Sequence, residues 1–171
     1  ASWTLRVAGL VDDPVEITRD ERRALPLVEH DLTLTCVSNE VGGDLVGNAR
    51  WLGYPVRELL ARAGVQDGAD MVLSTSADGW TASTPLDALT DPDRASLLAV
   101  GMNGEALPAE HGFPARLVVP GLYGYVSATK WVTELKVTTF ADDVAYWSTR
   151  GWSERGPIKL ASPVATPRAG A

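Results

Sequence analysis

The sequence predicts one globular domain in which short β-strands outnumber short α-helices. Three observations support this: alternating apolar segments recur along the chain, the helical patterns span about ten residues or fewer, and turn-forming residues separate neighbouring segments. With 171 residues, of which 45% are hydrophobic and 22% charged, the chain can bury a sizeable core. No segment has the roughly 18 consecutive apolar residues that a membrane-spanning helix requires.

The N-terminal part predicts a strand, a short helix and a turn between them. Residues 3–11 alternate in hydrophobicity, and residues 12–14 (Asp-Asp-Pro) are typical of a turn. Thr18 and Glu21 have the spacing of a capping box, so we expect a short helix that Pro26 closes.

A second alternating segment contains the only cysteine of the chain. Leu32, Leu34 and Cys36 would share one face of a strand, just before a polar, glycine-rich loop. Pro55 and Gly64 then mark the start and the end of a predicted helix of about ten residues.

The remaining pattern predicts mainly strands. Residues 71–76 and 80–84 form a strand pair around a turn, and 86–89 a short helix. Asn103-Gly104 between apolar segments indicates a type I′ hairpin. Two further strands follow at 115–120 and 129–140, and from Tyr146 onward the pattern predicts an extended tail packed by its tryptophans or a linker.

Composition excludes several classes of partner and site. The formal net charge of −7 and the pI near 4.8 argue against nucleic acid or an anionic membrane surface as partners. A single cysteine excludes an internal disulfide, and no Cys/His cluster indicates a zinc site.

Cys36 allows two interpretations. An unpaired cysteine on an apolar face is most often a small buried hydrophobe. A thiolate at a strand end, beside a loop rich in backbone N–H groups, could instead be a soft ligand for a transition metal. The spacing alone does not choose between them.

The segment 109–131 gathers groups that could bind one anion. His111, Arg116, Ser127 and Lys130 bring imidazole, guanidinium, hydroxyl and ammonium groups to a chain that also contains a glycine turn. Arginine offers a planar fork for phosphate, lysine a point charge and loop amides an anion-binding nest. The alternative is a solvated turn with ordinary surface charges.

Two further residues have a structural and a functional interpretation. Arg50 could be a loop residue before the Pro55 helix, or it could face the mouth above Cys36 and hold an oxyanion substrate. Asp78 is a natural turn residue in Ala-Asp-Gly, and it could also accept a hydrogen bond from a ligand.

Three segments carry a family resemblance: TLTCVSNEVGG, GNARWLGYPVRELL, and the long segment from GMNGEALP through HGFPAR and PGLYGYVSATKW to ELKV. The chain resembles the molybdopterin-dependent oxidoreductase domain of the sulfite oxidase family, and in particular its bacterial, often membrane-anchored members. The resemblance implies an α+β domain of mixed β-sheets with short helices that binds molybdenum on a pyranopterin. It also implies oxygen-atom transfer on a small, sulfur-containing substrate.

The resemblance also assigns residues. Cys36 matches the cysteine that ligates molybdenum. His111 and Arg116 match contacts to the pterin and its phosphate, and Ser127 and Lys130 complete the anion site. A further cofactor contact falls among Thr75, Ser76 and Asp78, without a fixed register.

The resemblance sets expectations for the whole protein. We expect the molybdopterin-binding domain to span 1–156, without the upstream cofactor-wrapping segment of the family, and 157–171 to be a tail or linker. Electrons would leave to an external carrier, either a haem protein or a membrane subunit, because the chain has no haem or iron–sulfur motif of its own. The full-length protein could be a homodimer, on the extracytoplasmic face of a bacterial membrane.

Two rival functions remain open at this point. One is a binding or structural module that keeps the fold without the cofactor. The other is a cysteine hydrolase that uses Cys36 with His30 or His111.

Overall fold

Two five-stranded sheets form the framework of the computed structural model, which describes residues 3–162. Numbered in chain order, the strands of the first sheet lie side by side as β2 (Val15–Thr18), β1 (Thr4–Gly9), β10 (Val132–Thr138), β5 (Met71–Ser76) and β6 (Thr81–Pro85). β1 pairs with β10 in parallel, and the other neighbours in this sheet are antiparallel.

The second sheet is antiparallel throughout. Its strands lie in the order β3 (Val28–Thr35), β4 (Val46–Pro55), β7 (Leu97–Met102) and β8 (Glu105–Ala106), while β9 (Arg116–Val118) also pairs with β7. Together with the few short helices, these sheets confirm the expected mixed α+β class.

Three short helices connect the strands: α1 (Arg19–Ala24), α2 (Val56–Ala63) and α3 (Leu86–Thr90). The predicted capping box is confirmed, because the Glu21 N–H donates to Thr18 Oγ1 over 3.2 Å and the Thr18 N–H donates to Glu21 Oε2 over 2.8 Å. Helix α2 ends at Gly64, whose φ of 67° is left-handed as expected at this position.

The predicted hairpin turn is also confirmed. Asn103 and Gly104 connect β7 to β8 with φ values of 54° and 83°, as a type I′ turn requires.

Two details of the strand predictions are wrong. Strand β3 ends at Thr35, so Cys36 lies in the turn beyond the strand and is exposed rather than aligned with the leucines. The predicted strand at 129–140 is not regular either, because the register of β10 shifts between Val132 and Glu134, and this bulge lets Val132 share the buried side with Leu135.

Two hydrophobic clusters form the core. The larger contains the inner residues of the first sheet and of α2, and the smaller is centred on Trp51. Strand β7 joins them, because Leu98 is buried in the larger cluster while Leu97 and Ala99 are buried in the smaller one. The second sheet is therefore packed on both faces near β9.

The segment after β10 is bonded to the domain as far as residue 159. Pro157 pairs with Leu122, and the Ile158 N–H donates to the Gly121 carbonyl over 3.0 Å. The expected boundary at 156/157 therefore falls inside a bonded segment, and residues 163–171 of the expected tail lie outside the described residues. None of the helices within 3–162 is long and apolar enough to cross a membrane.

Candidate functional site

Gly112 brings together the two cations that the sequence assigned to an anion site. Its φ is 110°, a left-handed value that favours glycine. A side chain built here would lie 3.0 Å from Arg116 Cβ and 3.1 Å from Lys130 Cβ. The absence of a side chain at Gly112 therefore allows strand β9 and the chain before β10 to approach each other, with His111 beside them.

Arg116 is a buried cation that binds only neutral groups within 3–162. Its side chain is 6% exposed, and its guanidinium donates to the carbonyls of His111 over 3.0 Å and Ala128 over 3.4 Å. The guanidinium also lies 5.2 Å from the centroid of the Trp51 ring. Burial lowers its pKa to about 10. A buried guanidinium without a carboxylate partner favours an anionic ligand.

A cavity of about 230 Å³ lies next to this pair of cations. Its lining residues are Ser76, Asp78, Trp80, Ala128, Lys130 and Trp131. Ser76 Oγ is buried and makes no hydrogen bond within the described part of the chain, which indicates a missing polar partner. Of the three residues with an open register, Ser76 and Asp78 therefore line the cavity and Thr75 does not.

Asp78 and Lys130 bring opposite charges to the lining of the cavity. The Trp80 N–H donates to the Asp78 carboxylate over 3.1 Å and lowers its pKa. The Ser76 hydroxyl and the Lys130 ammonium lower this pKa further, although the hydroxyl does not reach hydrogen-bond geometry. Asp78 is therefore held ionised in a cavity that Lys130 also lines.

Lys130 is positioned by Trp131, a residue that the sequence interpretation did not single out. The ammonium lies 4.4 Å from the Trp131 ring centroid and donates to the Glu110 carbonyl over 3.0 Å. Trp131 has a φ of 49°, unusual for a bulky residue, and its indole N–H donates to the Ala109 carbonyl over 2.7 Å. The only sequence signal for this role of Trp131 is its position directly after Lys130 and before a predicted apolar strand segment.

Ser127 lies next to the cavity but has no exposed surface. Its hydroxyl donates to the Tyr123 carbonyl over 2.9 Å and closes the turn Gly124–Val126. Thr84 Oγ1 supports the same turn by donating to the Val126 carbonyl over 2.6 Å. A role of Ser127 in binding an anion remains a prediction.

Cys36 lies at the same end of the molecule as this turn. The Cys36 N–H donates to the Leu45 carbonyl over 2.9 Å, within the loop between β3 and β4. A side chain built on Gly124 would lie 3.8 Å from the Thr35 carbonyl oxygen and 3.6 Å from Ala128 Cβ. The residue before Cys36 therefore approaches the turn that leads to the cavity through Ala128.

Arg50 is not part of this assembly. It pairs with Asp31 across β3 and β4, and its Nε donates to Asp31 Oδ1 over 3.2 Å. This pair lines a separate surface cleft that also contains Glu29, and both side chains are exposed. His30, the other predicted partner of Cys36, is an exposed residue of β3 that pairs with Trp51.

Comparisons with known proteins identify the family of the chain. The model of the oxidoreductase molybdopterin binding domain matches residues 1–147. The uncharacterized oxidoreductase YuiH of Bacillus subtilis (strain 168) is 36% identical over 154 residues, which cover 90% of this chain and 74% of YuiH.

Larger proteins contain a similar domain. The NADH nitrate reductase of Solanum lycopersicum is 30% identical over 172 residues, and the match covers 85% of this chain but 19% of that enzyme. The crystal structure of the sulfane dehydrogenase SoxCD from Paracoccus pantotrophus superposes with a TM-score of 0.71 at 30% identity, covering 80% of this chain and 38% of that one. The chain therefore belongs to the oxidoreductase molybdopterin-binding domain family, as a sulfite oxidase-type oxidoreductase whose cofactor is molybdopterin.

Proposed function

We propose that the full-length protein transfers an oxygen atom to or from a small sulfur-containing substrate, with Cys36 as the protein ligand of molybdenum. The observation that supports this most is the cavity lined by Lys130 and Ser76, in which Ser76 Oγ has no hydrogen-bond partner within the described residues, together with the buried cation Arg116 nearby. An anionic, hydrogen-bonding group is the ligand that these donors lack. The residues present therefore fit a phosphorylated pterin.

Each residue has a distinct part in holding the cofactor. The guanidinium of Arg116 and the ammonium of Lys130 supply positive charge for the phosphate, and Ser76 and Asp78 supply polar contacts to the pterin. His111, next to Gly112 and the two cations, would add its imidazole to the same binding site. When bound, the molybdenum centre supplies the two-electron redox change that accompanies oxygen-atom transfer.

Cys36 needs no general base for its part. A thiolate donates charge to a soft metal directly, and its exposed position beyond β3 leaves it open toward the turn at Gly124. We keep the external electron carrier, the homodimer and the extracytoplasmic location as proposals for the full-length protein. His30 is exposed and lies six residues before Cys36 in an extended segment. It therefore gives no support to a cysteine hydrolase that pairs these two residues.

Metal analysis of the full-length protein tests the proposal. We expect one molybdenum and one pterin per chain, and three sulfur neighbours in X-ray absorption at the molybdenum edge. Cys36→Ser should reduce the sulfur neighbours to two, whereas Ser38→Ala, in the same turn, should leave three. A sulfur count that is the same in Cys36→Ser and in the unaltered protein would contradict the assignment of the thiolate.

A further inference from the structure

Exposed hydrophobic side chains are concentrated around the Cys36 turn. Val41 is 64% exposed and Leu45 50% exposed in the loop that follows the cysteine, and Val46 continues this surface at the start of β4. The exposed ring of Trp152 packs on Tyr125, with ring centroids 5.4 Å apart. We call these five residues the apolar rim.

Backbone contacts place the rim on both sides of the thiol. On one side, the Cys36 N–H bonds to Leu45, and Val46 pairs with Thr35. On the other side, Gly124 approaches the Thr35 carbonyl, so that Tyr125 follows directly beside the end of β3. The end of β3, where Cys36 follows Thr35, therefore lies between the loop and the aromatic pair.

Carboxylates flank the loop side of the rim, and Arg155, three residues after Trp152, is exposed and lies 4.7 Å from the centroid of the Phe140 ring. Residues 36–49 contain Glu40 and Asp44 and no Lys, Arg or His. Arg50, next along the chain, is paired with Asp31 in a separate cleft. On the aromatic side, Arg150 lies 3.6 Å from the centroid of the Tyr146 ring and donates to its carbonyl over 2.7 Å.

We propose that this entrance selects an uncharged organosulfur substrate with an apolar substituent, and not an inorganic oxyanion. An anion at the loop side of the rim would lose hydration, no cation of residues 36–49 could replace it, and Glu40 and Asp44 would repel it. An apolar substituent would instead bury surface against Leu45, Val46 and Trp152. The inference rests on the proposed function, since it concerns the substrate of the same centre.

Two matched probes separate the alternatives. Methyl phenyl sulfone and benzenesulfinate share a phenyl ring and an SO₂ group, and differ in that a methyl group in the first takes the place of the negative charge in the second. Ligand-observed NMR or calorimetry on the full-length, cofactor-loaded protein gives a dissociation constant for each. We expect the sulfone to bind at least tenfold more tightly.

Variants of the rim locate the effect. Trp152→Ala should weaken sulfone binding at least fivefold, while Leu160→Ala, an exposed leucine outside the rim, should not change it. The double change Glu40→Gln and Asp44→Asn should strengthen benzenesulfinate binding at least threefold, and Asp67→Asn, in a distant exposed turn, should not. Lys159→Ala is a further control, because the backbone N–H of Lys159 donates to the Tyr123 hydroxyl beside the rim. Removal of this positive charge should not change the dissociation constant of benzenesulfinate.

The outcomes are decisive in each direction. The proposed selectivity is overturned if benzenesulfinate binds as tightly as the sulfone or more tightly, or if neither probe binds. It is also overturned if the change of Glu40 and Asp44 leaves the affinity for benzenesulfinate unchanged. Molybdenum and pterin contents are measured on the same sample beforehand. A protein without cofactor would therefore contradict the proposed function. The ratio of the two dissociation constants would still test the selectivity of the rim.

Discussion

The wall around Arg116 and Lys130 and the loop after Cys36 are built in opposite ways. In the wall, a buried guanidinium bonds to three carbonyls, and an ammonium lies over an indole that is itself anchored to Ala109. In the loop, turn hydrogen bonds such as Gly43 N–H to the Glu40 carbonyl hold an exposed surface with outward-facing Val41 and Leu45.

This difference assigns affinity for the cofactor to the wall and selectivity for the substrate to the loop. A buried cation is tolerated only where fixed acceptors surround it, so the wall can hardly change without losing its anion site. The exposed loop makes few contacts that a substitution would break, and its side chains can vary at low cost. We therefore expect the wall to decide whether the cofactor binds and the loop to decide which substrate enters.

The largest expected effect comes from removing the buried charge of the wall. Arg116→Gln should lower the molybdenum content at least tenfold, because hydrogen bonds to charged groups contribute about 1.5–3 kcal/mol each. The free energy of unfolding of the cofactor-free protein should change by less than about 1 kcal/mol, since the cost of burying the charge disappears as well. Metal analysis and urea unfolding measure the two quantities.

Arg94 offers a matched control for this change. It also donates to a backbone carbonyl, that of Pro120 over 2.9 Å, but it lies outside the cavity. Arg94→Gln should keep the molybdenum content. An Arg116→Gln protein with full molybdenum content would remove the distinction between wall and loop.

The next effect concerns the turn that connects the two regions. Thr84→Val removes the buried hydrogen bond to the Val126 carbonyl and leaves that carbonyl without a partner, so we expect a loss of about 1–3 kcal/mol in stability. Thr90 makes a similar bond to the Leu86 carbonyl at an exposed position of α3. Thr90→Val should cost less, and equal losses in urea unfolding would show that burial of the turn is not the cause.

Acid should affect the wall through Asp78. Because its folded pKa is lowered, the charged carboxylate stabilises the fold above the ordinary carboxyl range, and this contribution is lost as the pH falls through the lowered value. Asp78→Asn should therefore flatten the decline of stability between about pH 5 and pH 3. Thermal unfolding across this range measures the decline, and Asp67→Asn should leave its slope unchanged.

The smallest effect should come from the loop. Leu45→Ser should change the free energy of unfolding by less than about 0.5 kcal/mol, because the side chain is exposed. Leu98→Ala, at a buried leucine of β7, should cost about 2–5 kcal/mol by comparison. A large loss of stability in Leu45→Ser would mean that the loop is as firmly built as the wall.

Local rules in the sequence were sufficient for the elements that depend on neighbours along the chain. The capping box of Thr18 and the Asn103-Gly104 turn were read from two or three residues each, and both are confirmed. The placement of Arg50 could not be read in this way, because its partner Asp31 lies 19 residues away and meets it only through the register of β3 and β4.

The same limit explains the remaining differences around the site. Cys36 continues the alternation of its strand in sequence, yet the ladder with β4 ends one residue earlier. Trp131 would not be assigned a positive φ from its type, and two hydrogen bonds with distant segments, to the Ala109 carbonyl and from the Ala77 N–H, hold it there. The sequence therefore singled out Arg116 and Lys130, while the contacts that hold these two side chains could not be read from it.

The position of β10 sets the order in which the domain can be completed during synthesis. This strand lies between β1 and β5, so its residues join the first-made pair of strands to the pair made midway. Until residue 138 has left the ribosome, the first sheet exists only as two separate halves. The wall ahead of β10 cannot close before then, and insertion of the cofactor must wait until almost the whole domain has been translated.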